Sequence, residues 1–109
     1  MDERARLYGG CGAVRKAGMT IEEFEAADAE EFDGALLALW WDAKGDWDKA
    51  HEIAQDVAGA DGARVHAYLH RKDGDLGNAG YWYRRAGLPI AVGDSRSEWE
   101  GIVREMLAR

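Results

Sequence analysis

An all-α fold, a single-domain stack of antiparallel helical hairpins, is predicted by three features of the sequence. Helix formers dominate: there are 19 alanines but only one Thr and one Pro, and β-branched residues, which favour strands, are sparse. The 14 glycines fall mostly between periodic segments, whereas inside a helix each would cost about 1 kcal/mol relative to Ala. Several of these glycines are followed closely by Asp, so that one residue ends a helix and another opens the next. At 109 residues the chain suits one domain with one core.

Residues 1–18 contain Gly9, Gly10 and Gly12 among scattered arginines and show no sustained period. They read as a flexible head, with the helical domain over residues 19–109. Thr20-Ile21-Glu22-Glu23 has capping-box spacing, and Met19 is placed to pack on Phe24 as a hydrophobic staple. This first helix is expected to end near Glu31. Asp33 is the expected cap of a second helix, Gly34 to Lys44, whose Leu36, Leu37, Leu39, Trp40 and Trp41 make it apolar on most sides and therefore central. Gly45 stops it and Asp46 caps a third helix, Trp47 to about Ala58. Gly59 and Asp61 are read as a second stop and cap, opening a fourth helix over Gly62 to Lys72. Gly74 and Asp75 repeat the arrangement before a fifth, Leu76 to Ala86. Gly87-Leu88-Pro89 breaks the chain. A second capping box, Ser95 to Glu98, opens a terminal helix carrying Trp99, Ile102, Val103, Met106 and Leu107.

Charge and composition narrow the partners. With 21 acidic and 14 basic residues and a net charge of −7, the chain lacks the basic stripe of a nucleic-acid binder. No apolar run approaches the roughly 18 residues of a membrane span, and the N-terminus has no signal-peptide core. The one cysteine, Cys11, cannot form an internal disulfide and fits a reducing cytoplasm. No nearby histidine equips it as a nucleophile. Residues 1–20 sum to +2, residues 21–62 to −11 and residues 63–109 to +2. The acidic stretch reads as a solvated face; it also offers a surface to a basic protein partner or to the other half of a second subunit.

Two junctions are alike. Gly45-Asp46-Trp47-Asp48-Lys49-Ala50 aligns with Gly74-Asp75-Leu76-Gly77-Asn78-Ala79 at an offset of 29 residues. The unit resembles tetratricopeptide and Sel1-like repeats, in which a Gly-Asp-large-x-x-Ala turn opens the second helix, and Tyr83-Arg84-Arg85-Ala86-Gly87 is similar to their common ending. The offset is shorter than the roughly 34 residues of a tetratricopeptide repeat, so hairpin stacking is implied more than a concave groove. A wider stretch over residues 39–107 includes Trp47-Asp48-Lys49-Ala50-His51, His66-Ala67-Tyr68-Leu69-His70-Arg71 and Asn78-Ala79-Gly80-Tyr81-Trp82-Tyr83. It resembles a family of small bacterial and fungal proteins with no assigned chemistry, and so implies a domain type but no activity.

The sharpest chemical signal is in the histidines. Taking about 100° per residue, His70 lies about 40° from His66, on or beside the packed face and opposite Arg64 and Arg71. His51 is in phase with Trp47, Ala54 and Ala58. If the third and fourth helices form an antiparallel hairpin turning near Ala60, His51 comes level with His70 and three imidazoles meet. Three histidines and a water are a known zinc set, and an i,i+4 pair has good ligand spacing. Asp73, Asp46 or Asp75 would then supply a supporting carboxylate. With no His-Glu-x-x-His and no cysteine pair, the same positions also suit core-edge histidines bonded to carboxylates, tyrosines or each other, and that structural reading is the first choice.

Among Tyr81, Trp82 and Tyr83, one ring must be exposed or at an interface. Trp82 with Asn78 and Arg85 outlines a small polar–aromatic pocket; the plainer reading makes Trp82 core, with Arg85 paired to an acid. Asn78 is also within reach of His70 across the junction. The functional expectation is a non-enzymatic protein-interaction module without a cofactor, engaging a protein partner or a second copy. Its rival is a metal-assisted enzyme or small-molecule-binding protein built on His51, His66 and His70, with a transition metal such as zinc. Trp47, Asp73, Asn78, Trp82 and Arg85 are the candidate ligand or interface residues.

Overall fold

Backbone chemistry at the two Gly-Asp junctions sets the course of the chain. At the first, the Gly45 N–H donates to the Asp42 carbonyl at 3.0 Å and the Asp46 N–H to the Trp41 carbonyl at 3.0 Å. At the second, Gly74 donates to Arg71 at 3.0 Å and Asp75 to His70 at 2.9 Å. Each is a Schellman stop, which needs the left-handed backbone that Gly45 and Gly74 adopt at φ +86° and +83°. The next residue then changes role. Asp46 accepts from the Lys49 N–H at 3.0 Å, and Asp75 from the Asn78 N–H at 3.3 Å, each capping the following helix.

The computed structural model describes residues 18–109. They form α1 (Ile21–Ala26), a 3-10 turn (Ala29–Glu31), α2 (Gly34–Ala43), α3 (Trp47–Gln55), α4 (Gly59–Lys72), α5 (Leu76–Ala86) and α6 (Ser95–Leu107). Among the described residues there are six helices and no strand, and no helix is long and apolar enough to cross a membrane. Apart from Gly18, the head expected over residues 1–18, Cys11 included, lies outside the described residues.

Several boundaries differ from the expectation. The Thr20 capping box forms with both bonds, but α1 stops at Ala26 and the chain continues as the 3-10 turn, because Ala27 is extended at ψ 167°. Asp33 takes the capping position without its side chain accepting a bond. Helix α3 ends at Gln55, and α4 begins at Gly59 with Ala58 as its cap residue, so Asp61 lies in the first turn of α4 and caps nothing. Arg109 holds Asp61 instead, through bonds of 2.5 and 3.0 Å. For α6 the cap is Asp94, which accepts from the Ser97 N–H at 2.7 Å, and Ser95 is already helical.

The core lies where α6 crosses α1, α2 and α4. Trp99 is buried there, with its indole N–H on the Leu39 carbonyl at 3.0 Å, and Phe24 sits 4.7 Å from Phe32 and 5.9 Å from Trp99 between ring centroids. Burying a ring such as Phe24 contributes about 3 kcal/mol. As expected, α2 is central: Leu36, Ala38 and Leu39 are buried in the main cluster. The Trp40 and Trp47 indoles find the Ala27 and Leu69 carbonyls at 3.0 and 2.9 Å. The last of these bonds sets the start of α3 beside the end of α4, so the two helices run in opposite directions.

Two polar networks cross the packed elements. Asp42, buried on α2, accepts from the Tyr68 hydroxyl at 2.5 Å and from Lys72 Nζ at 2.8 Å, both on α4. Glu98 on α6 accepts from Arg71 at 2.8 Å and from the Tyr83 hydroxyl at 2.5 Å, tying α4, α5 and α6 together. Burial and the adjoining carboxylates push the Tyr68 and Tyr83 phenols upward, so both remain protonated donors.

Candidate metal centre

Helix periodicity and one turn bring the three histidines together. His66 and His70 share a face of α4, and their rings lie 5.0 Å apart and nearly parallel. His51 enters from α3, running in the opposite direction, with ring centroids 4.6 Å from His66 and 5.0 Å from His70. The Nε2 atoms of His51 and His66 are 3.0 Å apart and share a hydrogen bond, so two of the histidines are bonded to each other as the packing reading expects. One ligand nitrogen from each of the three histidines lies within 4.8 Å of the others. Zinc bound tetrahedrally at about 2.0–2.1 Å needs its nitrogens roughly 3.3 Å apart. The His51–His66 pair is slightly tighter than that and the widest pair is wider, so side-chain rotation would bring all three to one ion.

Aromatic neighbours hold the rings. Trp47 stacks on His51 at 4.9 Å and 10° between planes, and Trp82 on His66 at 4.1 Å and 13°. Trp47 is anchored by its bond to the Leu69 carbonyl, on the residue before His70.

Electrostatics favours the neutral, ligating form. His66 is 6% exposed; burial first, then the charges of His51 and His70, push it down to about 4. Burial, and then His70, also lower His51. Both rings are therefore neutral at neutral pH; one Nε2 donates to the other, and that proton would have to pass to its own ring's Nδ1 for both Nε2 atoms to act as ligands. His70 Nδ1 is buried and has no hydrogen-bond partner. Asp75 Oδ2 lies 3.8 Å away, too far for a hydrogen bond but in position to polarise the ring. Hydrogen bonds from Asn78 hold the Asp75 carboxyl below its ordinary range.

Beside His66 lies a cavity of about 390 Å³ between the α3–α4 turn and α5. Its walls include Gln55, Val57, Gly62, His66, Trp82 and Arg85, and alanines fill most of the rest. Gly62 exists for the turn: a Cβ there would sit 1.9 Å from the Val57 carbonyl oxygen. The chain therefore passes close to itself here, and small residues leave the cavity open.

The sequence-derived candidates divide. His51, His66, His70, Trp47 and Trp82 come together in one cluster, and Arg85 lies with its guanidinium carbon 5.3 Å from the Trp82 ring centroid. Arg85 has no ion pair among the described residues; its Nη1 donates to the Tyr81 hydroxyl at 3.0 Å. The acidic partner expected for it is thus replaced by a neighbour one turn back on its own helix. Tyr81 is the exposed ring of its triplet, and Tyr83 the buried one. Asn78 is exposed and bonds Asp75 at 2.9 Å rather than His70, because the cap geometry holds it at its own helix start. Asp73 is exposed at the end of α4; Asp46 and Asp75 both cap helices, and Asp75 lies 3.8 Å from His70, while the charge of Asp48 acts on His51. Gln55 and Gly62 were not singled out from the sequence; the alanine- and glycine-rich run from Ala54 to Ala63 was the available signal. No protein-family model matches the chain, and no curated protein or solved structure is significantly similar to it.

Proposed function

We propose that the protein binds a transition metal, with zinc as the best fit, through His51, His66 and His70, and presents it to the small-molecule cavity bordered by His66. The observation that carries this reading is the convergence of three imidazole nitrogens, one from each ring, within 4.8 Å. His51 and His66 share a hydrogen bond at 3.0 Å, as the packing reading of the histidines expects, and metal binding would replace it; His70 Nδ1 has no hydrogen bond to give up. Three nitrogen ligands leave a fourth position for water or a small molecule.

The surrounding fold we read as tetratricopeptide- or Sel1-like and as kin to the small bacterial and fungal proteins it resembles. The matching stop-and-cap bonds at Gly45-Asp46 and Gly74-Asp75 support this. The interaction-module reading keeps one observation in its favour: Leu88, Ile90 and Val92 are exposed along the α5–α6 loop. We place either activity in the cytoplasm.

The test is metal binding by tag-free protein purified without chelators. Elemental mass spectrometry is expected to find close to one zinc per chain, and cobalt(II) titration to give the visible absorption of a tetrahedral nitrogen site. His51→Ala and His70→Ala, at positions less buried than His66, should each lose metal while staying helical by circular dichroism. Folded wild type that takes up neither zinc nor cobalt stoichiometrically would leave the histidines as packing groups.

A further inference from the structure

The cavity beside His66 has a polarity that its charge environment does not predict. The described chain is strongly acidic in its first half, yet the residues lining this cavity include no Asp or Glu. The charged side chain among them is Arg85, which has no ion pair among the described residues. The remaining side chains are small and mostly apolar, Ala54, Val57, Ala60 and Ala63 among them, with Gln55 and the exposed backbone of the turn adding polar surface. Trp82 joins the two polar ends, its ring 4.1 Å from the His66 centroid and 5.3 Å from the Arg85 guanidinium carbon. At about 390 Å³, the space falls within the range of small-ligand sites.

From this we infer that the cavity takes a small organic carboxylic acid, its carboxylate paired with Arg85, its apolar body on the alanine wall and its far end directed to the His66 side. The inference deepens the metal-centre reading and rests on it for what meets that far end. A guanidinium without an acid offers a planar fork of donors matched to a carboxylate. It lies against aromatic faces that restrict it, since its carbon is also 5.8 Å from the Tyr81 centroid. A phosphate dianion fits less well: one cation balances half its charge, and the net charge of −7 repels it. A neutral amide would leave the guanidinium without its counter-charge.

The experiment titrates benzoate and butyrate, against benzamide and butyramide, into zinc-loaded and chelator-treated full-length protein. It follows the Trp82 indole N–H and the Arg85 Nε–H by nitrogen-edited NMR. Saturable shifts with the carboxylates and at least tenfold weaker binding of the amides are expected. Arg85→Gln should weaken carboxylate binding at least tenfold while leaving cobalt(II) uptake unchanged, since Arg85 is exposed and is not a ligand. Removing zinc should weaken wild-type binding several-fold. If cobalt titration shows no metal site, the metal-centre reading fails by itself; carboxylate binding that still depends on Arg85 then supports the cavity assignment. Amides binding as well as acids, inorganic phosphate displacing benzoate at equal concentration, or full binding by Arg85→Gln would each overturn it, whatever the metal result.

Discussion

His66 and Gly62 show how single side chains set the terms of this site. In metal-free protein His66 titrates near pH 4, whereas in the unfolded chain it titrates near 6.5. Between these values the unfolded state binds more protons, so stability is full above about pH 6.5 and declines as pH falls toward about 4. The decline amounts to at most about 3 kcal/mol. Urea unfolding of chelator-treated protein across this window is expected to show it, and His66→Gln should flatten the profile; an unchanged slope in that variant would assign the effect elsewhere. Gly62→Ala places a methyl group against the Val57 carbonyl at 1.9 Å and should cost more than about 2 kcal/mol by forcing the backbone apart. Gly77→Ala is the control: Gly77 lies in α5 with nothing within 4 Å of a new Cβ, so it should stabilise by about 0.5–1 kcal/mol. Thermal melts of the two variants shifting in the same direction would contradict this account.

Helices in this chain are delimited by caps more than by propensity. Asp46→Ala and Asp75→Ala should each destabilise by about 1 kcal/mol through loss of a first-turn acceptor. Asp75→Ala should in addition weaken metal binding, because its carboxylate adjoins His70; equal metal affinity in the two variants would remove the supporting role given to Asp75. The Gly-Asp junctions were legible in the sequence because their bonds span only three to five residues of chain. At Gly59 and Asp61 the same local pattern misled. Gly59 takes a positive φ of 81° and begins α4 directly, while Asp61 is drawn to Arg109 from the far end of the chain. Asp94 was passed over for Ser95 because both residue types cap well, and only the backbone shows which one is still extended. The buried pairing of Asp42 with Tyr68 and Lys72 was missed altogether. Its one sequence trace is an Asp in an otherwise apolar helix, facing an i,i+4 Tyr–Lys pair. Asp42→Ala should cost about 2–4 kcal/mol by leaving the buried Tyr68 hydroxyl without its acceptor, and Tyr68→Phe less; chemical denaturation that ranks them the other way would point to a different role for Asp42.

Over the whole molecule, the charge asymmetry is partly consumed within the fold. Lys72 pairs with Asp42, Arg96 with Glu25 and Arg109 with Asp61, each joining the later half of the chain to the acidic earlier half. The last two pairs are largely exposed and contribute little stability, but they reduce what the acidic stretch can offer to another chain. Any self-association driven by the remaining asymmetry should weaken as salt is raised; a mass by light scattering that is equal at low and high salt would exclude it. By itself the sequence determined the helical class, the central place of α2 and the shared face of His66 and His70, because composition, periodicity and capping act over one or two helical turns. It also put His51 within reach of them, on condition of an antiparallel turn. The tertiary structure decided that turn, the stacking of Trp47 and Trp82 on the imidazoles, and the cavity beside them. These depend on how closely Gly62 lets two backbone segments approach, a distance set by non-bonded contact across the fold and by no pattern along the chain.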